Sequence, residues 1–318
     1  MKSPNNNRDD LAASITRRSS KQTYTMIRLL VDRDRVQDAF RAYAYFRWVD
    51  DILDTPFDAA QGGYNGKWAF AERQRGLVED LYRGVIPLDL SPEEKLLQDL
   101  VKTDPSLDSG LYNYIDRMMA VMEFDAGRRG KLITESELDQ YAHNLAVAVT
   151  EAMHYFIGHG QETPQGEDRY LAVTAAHITH MLRDALDDAR EGYNNIPQEY
   201  LLTQQLTPFD TDKEAYRKWV CGRVKLAGEY FKAGRGYLSR VKNSRCRLAG
   251  YAYTARFEWV LRTIERENFC LRLEYPDRKS FRSALWMVWN TLKSFWKGPL
   301  WKRTYIPLSQ PGVEITNT

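Results

Sequence analysis

The stretch RVQDAFRAYAYFRWVDDILD, Arg35 to Asp54, contains no glycine or proline, and the next breaker is Pro56. Val36, Phe40, Tyr43, Arg47, Asp50 and Asp54 recur at steps of four, three, four, three and four. That is one stripe at the helical period. The stretch is therefore expected to be a helix whose buried-type face is apolar and aromatic along most of its length. A cation and two carboxylates end it. Asp50 and Asp54 lie one turn apart and can converge on one ligand, with Asp51 beside the stripe.

Like charges at this spacing repel by only a few tenths of a kcal/mol on an open helix. Next to an apolar core they cost far more unless neutralised. A divalent cation removes that cost, and carboxylate-only ligation points to Mg²⁺, or Mn²⁺, rather than zinc. A solvated charge run is the competing reading of the same residues.

The pattern then repeats. In HITHMLRDALDDAREGYNNIP, Val173, His177, His180, Asp184 and Asp188 are spaced four, three, four and four. Arg183 and Asp187 are adjacent, and Gly192 and Pro197 are stop signals. Two helices that each end an apolar face in acids plus arginine can hold divalent ions and phosphate between them. Hard cations take a few carboxylates and complete their shell with phosphate oxygens and water. Arginines take phosphate oxygens by bidentate hydrogen bonds.

The rest of the chain narrows the class. It has 318 residues, 43% of them apolar, enough for a large core. Lys and Arg number 45 against 43 Asp and Glu, without the basic excess of a nucleic-acid binder, so no nucleic-acid partner is expected. Three scattered cysteines, Cys221, Cys246 and Cys270, argue against a disulfide framework or a structural zinc site. The polar start MKSPNNNRDDLAAS shows no signal core, and no apolar run is long enough to span a membrane. A reducing, cytoplasmic setting is the expectation.

Helical patterns follow one another, with Gly and Pro mostly between them and little strand-like alternation. SPEEKLLQDLVK opens on a capping box, Ser91 with Glu94. Residues 134–158 run from Thr134 to Gly158 without a breaker. The fold expected is all-α and single-domain over residues 14–278, after a disordered stretch at residues 1–13. Residues 279–318 form a basic, Trp-rich last helix and tail, with six cations against Glu314 and with Trp286, Trp289, Trp296 and Trp301. That composition suits peripheral contact with a membrane, or simple packing on the body.

Taken together, the motifs resemble the squalene/phytoene synthase family of head-to-head isoprenoid synthases. YAYFRWVDDILD resembles its first Asp-rich motif and LRDALDDAREG its second. SITRRSSKQTYTMIRLL resembles its opening segment around Ser19, Ser20 and Lys21. ELDQYAHNLAVAV and FEWVLRTIERENF resemble later helices, so the likeness covers most of the chain. It implies a bundle of helices around a deep hydrophobic cavity. Asp50, Asp54, Asp184 and Asp188 would bind magnesium, with Asp51 and His180 as further candidate ligands. Ser19, Lys21, Arg47 and Arg183 would hold diphosphates, and Tyr141 would face the reacting carbons. Phe40, Tyr43, Val147, Thr150 and His177 would line the cavity.

The implied reaction condenses two prenyl diphosphates through a cyclopropyl diphosphate and carbocations. It is phytoene-type from geranylgeranyl diphosphate or squalene/dehydrosqualene-type from farnesyl diphosphate. No Gly-rich dinucleotide fingerprint appears, so NADPH is not expected. Three departures bear on the product. Val147 and Thr150 stand where the family has glycines. His177 and His180 stand where it has Gln and Asn. The loop Gly192-Tyr-Asn-Asn-Ile-Pro197 lacks the family's arginine. A branch stopping at the cyclopropyl diphosphate or an alcohol, a one-substrate terpene synthase and a non-catalytic lipid- or partner-binding relative stay open. So does the oligomeric state.

Overall fold

Helix starts fall where short polar side chains can satisfy the first free amides. Ser91 Oγ accepts from Glu94 N at 3.1 Å while Ser91 N donates to Glu94 Oε2 at 2.8 Å, the capping box expected from sequence. Thr134 and Glu137 form a second one. Ser20, Ser109 and Asn243 cap three further helices. The computed structural model describes residues 4–55, 63–159 and 161–296.

Among these residues the chain is helical throughout, without a strand. The helices are α1 (Pro4–Ser19), α2 (Lys21–Leu30), α3 (Val36–Asp54), α4 (Gly63–Tyr82), α5 (Pro92–Thr103) and α6 (Gly110–Arg128). They continue as α7 (Glu135–Phe156), α8 (Leu171–Glu191), α9 (Gln198–Thr203), α10 (Glu214–Arg240), α11 (Ser244–Arg266) and α12 (Phe281–Trp296). The expected all-α class holds, and α3 ends where expected at Asp54 but starts one residue later than expected, with Arg35 as its N-cap.

One apolar cluster is built mainly from α1 to α7 and a second from α8 to α11, with α8, α10 and α11 contributing to both. The buried Tyr45 on α3 donates to Gln74 on α4 at 3.0 Å, and Gln74 donates to the capping residue Glu94 at 2.8 Å. A buried polar chain thus fixes α3, α4 and α5 together, with every member partnered. Helices α8 and α10 approach so closely that a Cβ on Gly234 would sit 2.5 Å from the Ala172 backbone. The glycine is a packing requirement there.

The disorder expected over residues 1–13 is corrected, because α1 begins at Pro4. Its charges are not spent on solvent. Arg8 pairs with Asp99 at 3.0 Å and Asp9 with Arg41 at 2.7 Å, while Ala12, Ile15 and Thr16 are buried. A polar composition misled because the polar groups have tertiary partners. At the other end α12 supplies the expected last helix, lying on α11 with Trp286 against Trp259. Residues 1–3 of the N-terminal stretch, and Trp301 with the tail from residue 297, lie outside the described residues.

Candidate active site

Helices α3 and α8 deliver the ends of their stripes to one cavity of about 270 Å³. Asp50 and Asp54 form part of one wall, Asp184 and Asp188 part of the other, and Tyr141, His177 and His180 also line it. The second acids of each run, Asp51 and Asp187, are exposed and outside the lining. The helical phase read from the sequence thus separates the carboxylates that line the cavity from those that do not.

Burial raises the Asp50 carboxyl, and the neighbouring Asp54 and Asp125 add to it, to about 6. Burial and Asp184 push Asp188 to about 6 as well. Asp54 is raised by burial despite the opposing charge of Arg47. Asp184 is the exception. Burial works to raise it, but hydrogen bonds from Arg183 (2.6 Å, Nε to Oδ1) and His180 (2.9 Å) overcome that and hold it well below the usual carboxylate range.

Crowded carboxyls whose charged forms are disfavoured are what a hard cation relieves. Among the described residues no three His, Cys, Asp or Glu side chains gather tightly enough to cage a metal alone. Paired carboxylates are the donor type that hard divalent ions take together with water and ligand oxygens.

Residues that the sequence reading did not single out complete the site. Asp125 and Arg128 come from the end of α6, and Asn195 from the loop after α8. Tyr141 Oη donates to Asp125 Oδ2 at 3.0 Å, and Arg128 Nε donates to Asp125 Oδ1 at 2.7 Å. Arg128 Nη1 donates to Asn195 Oδ1 at 2.7 Å, and Asn195 Nδ2 donates to Asp188 Oδ2 at 2.7 Å. One hydrogen-bonded chain therefore runs from α7 through α6 to α8. The Arg128 guanidinium also lies 4.9 Å from the Tyr141 ring and 5.1 Å from the Tyr193 ring, within cation–π range. A signal for these residues existed. Leu111, Ile115, Met122 and Asp125 lie at helical spacing on α6, another apolar stripe ending in an acid with an arginine three residues on. It carries one acid rather than a pair, which makes it a weaker sign of a metal site.

Backbone contacts seal the same corner. Gly192 caps α8 at φ +90°, a conformation that favours glycine. Its carbonyl accepts from Gly130 N at 2.7 Å, and Arg129 Nε donates to Glu191 O at 2.9 Å. Tyr193, standing where the family's loop arginine is missing, thus lies between Arg128 and Arg129.

The other expected diphosphate ligands lie outside the cavity lining. Arg47 pairs with Asp50 at 2.9 Å and also with Asp51, and Arg183 pairs with Asp184. Each arginine meets a carboxylate of its own motif, through helical spacing for Arg47 and direct adjacency for Arg183. Ser19 and Lys21 are exposed at the α1–α2 junction. Phe40 is buried against the Tyr24 ring, Tyr43 is half-buried, and Val147 and Thr150 are buried on α7, the Thr150 hydroxyl without a partner. His177 is different. It is 4% exposed, lines the cavity 4.9 Å from the Tyr141 ring, and neither ring nitrogen has a hydrogen-bond partner. Burial, with the charges of His180 and Arg128, lowers it to about 3, so the ring is neutral.

Comparison with known proteins finds likenesses in sequence and in fold. The family model described as squalene/phytoene synthase matches residues 16–282. The chloroplastic phytoene synthase of carrot, Daucus carota, is 24% identical over 257 residues, which cover 78% of this chain and 61% of that protein. The chain thus spans about three-fifths of that relative's length. A crystal structure of a squalene synthase from Alicyclobacillus acidocaldarius superposes with a TM-score of 0.64 at 18% identity, covering 84% of this chain and 96% of the other. A dehydrosqualene synthase crystallised with a ligand gives 0.65 at 16% identity, covering 91% and 95%. At these identities the structures establish a shared fold.

Proposed function

The chain belongs to the squalene/phytoene synthase family, and from that premise we propose that it joins two prenyl diphosphates head to head in this cavity, releasing diphosphate. The observation that carries the reading is the convergence of Asp50, Asp54, Asp184 and Asp188 on one cavity. Tyr141, Asp125, Arg128 and Asn195 are hydrogen-bonded between the walls.

The four aspartates would hold magnesium or manganese, with His180 beside Asp184 as a further donor. When bound, the metal supplies Lewis-acid charge that makes diphosphate a competent leaving group. Arg128 is fixed by hydrogen bonds to Asp125 and Asn195 and by the rings of Tyr141 and Tyr193 before any ligand arrives. A preorganised cation of this kind stabilises negative charge as the allylic C–O bond breaks. The rings of Tyr141 and Tyr193 offer negative faces to the carbocation left behind. Asp125 holds the Tyr141 hydroxyl, and burial and that carboxylate keep the phenol protonated far above its ordinary range. Tyr141 therefore acts as a neutral dipole and hydrogen-bond donor.

The neutral, unpartnered His177 supports a reductant-free ending. A carbocation loses a proton from an adjacent carbon, and the C–H electron pair becomes the new double bond. The proton passes to the imidazole and then to the departing diphosphate. A phytoene- or dehydrosqualene-type product needs no hydride, whereas squalene does. The substrates in this reading are geranylgeranyl or farnesyl diphosphate.

The test incubates the purified chain with Mg²⁺ and either diphosphate, with and without NADPH, and identifies the extracted lipids by mass spectrometry. A hydrocarbon built from two prenyl chains, unchanged by NADPH, is expected. Asp50→Ala and Asp184→Ala should each cut turnover by orders of magnitude with the helical circular dichroism intact. Full activity in either variant, or no diphosphate released by the parent protein from any prenyl diphosphate, refutes the assignment.

A further inference from the structure

Helix α12 is amphipathic the wrong way round for a helix facing water. Its inner face is rich in small and polar groups. Ser283 is fully buried with its hydroxyl on the Arg278 carbonyl at 2.8 Å. Asn290 donates to the buried Glu258 at 2.7 Å, and Thr291 is buried. Trp286 and Phe295 complete that face, with the Arg262 and Arg247 guanidinium groups over their rings. The outer face carries Phe281, Leu285, Val288, Trp289, Leu292 and Trp296, all exposed, with Phe281 at 82%, Trp289 at 66% and Trp296 at 81%. These residues follow helical spacing and form one continuous stripe. Single exposed apolar residues are ordinary, but a contiguous stripe of six marks a contact surface.

Charge decides what covers it. Arg282 and Lys293 are exposed on α12, Arg278 is exposed in the turn before it, and the helix has no acidic residue. A second copy docked stripe to stripe would set these cations against their own equivalents. The chain's own continuation brings Lys297, Lys302 and Arg303, the same sign again. An anionic lipid surface satisfies both features. It accepts the apolar stripe at the acyl boundary, suits tryptophans along the interface, and attracts the cations. The 16-residue helix is about 24 Å long, and no described helix is long and apolar enough to cross a bilayer. We propose that α12 is an in-plane docking helix that seats this protein on an anionic membrane, with Phe281, Trp289 and Trp296 inserted and Arg282 and Lys293 at the headgroups. The proposal does not depend on the reaction assigned to the cavity.

Vesicle flotation of the full chain tests it, using phosphatidylcholine alone and phosphatidylcholine mixed with phosphatidylglycerol. Binding should favour the mixed vesicles and weaken with salt. The double variant Leu285→Ser/Trp289→Ser should bind at least about tenfold more weakly, the effect of losing two large apolar side chains from the interface. Arg282→Glu/Lys293→Glu should lose the preference for phosphatidylglycerol. Both variants change only exposed side chains, so circular dichroism and melting should match the parent. Three results overturn the proposal: a parent chain that stays in solution with both vesicles, binding unchanged by the serine variant, or a dimer seen by sedimentation that the serine variant dissolves.

Discussion

Replacing Asp188 by Asn should stabilise the metal-free protein while abolishing its turnover. In the fold the Asp188 carboxyl is pushed from its ordinary 3.8 to about 6 by burial and by Asp184. Its ionised form is therefore disfavoured on folding. A raised carboxyl means that the native state binds more protons than the unfolded one, so stability falls as pH rises. The penalty is absent below about pH 4, grows between about 4 and 6, and is complete above that. A shift of this size corresponds to at most about 3 kcal/mol, and water in the cavity mouth should reduce it to about 1–2 kcal/mol. Asn is nearly isosteric, and its amide oxygen can still accept from Asn195 Nδ2, now 2.7 Å from Asp188 Oδ2. Denaturant unfolding in chelator at about pH 7.5 should show the variant more stable by that amount, a melting gain of about 2–4 °C for a chain of this size. At about pH 3 the gain should vanish, because the parent carboxyl is then largely protonated in both states. A variant less stable at the higher pH, or equally stabilised at both, refutes the claim that this carboxyl is held against its preference for a ligand.

Arg128→Lys should lower turnover about ten- to a hundredfold, because one ammonium cannot reproduce the planar fork that joins Asp125 to Asn195. Unchanged steady-state kinetics would remove Arg128 from the machinery. Tyr141→Phe should retain the fold by circular dichroism and lose at least about tenfold in product formation, through the missing hydroxyl on Asp125; parent-like rates would leave the ring alone as the useful part. Gly234→Ala should destabilise by more than about 2 kcal/mol, since its Cβ would meet the Ala172 backbone at 2.5 Å. A melting point within about 1 °C of the parent would show that α8 and α10 can part at little cost.

What the sequence disclosed depended on periodicity. The α3 stripe ends in two acids at the right phase, so its C-terminal end and cavity-lining carboxylates were readable, and the α8 stripe behaves alike. The capping box at Ser91, which has the same local form as the one at Thr134, was readable because its chemistry is local. Asp125, Arg128 and Asn195 were not, because their importance comes from a hydrogen-bonded chain across three segments. The ion pairs of the arginines in the two motifs were hidden for the same reason. Spacing shows that Arg47 can reach phosphate, but not that Asp50 and Asp51 lie closer. The N-terminus was misread because ion pairs to Asp99 and Arg41 leave no periodic trace. The reversed face of α12 was half visible: composition marked the segment as basic and Trp-rich, but only packing shows which side looks outward.

The join between Gly130 and Gly192 has a consequence for anyone recombining this family. The α8–α9 loop lacks the arginine that the family resemblance leads one to expect there, and grafting a relative's loop into this chain is the obvious way to introduce one. Yet Tyr193 already lies between the guanidinium groups of Arg128 and Arg129. Asn195 is matched to Arg128, and the backbone of residue 192 to that of residue 130. A transplanted arginine would enter a corner that already holds two. The segment after α6 and the segment after α8 are therefore one cassette written in two places, and a working chimera has to exchange both.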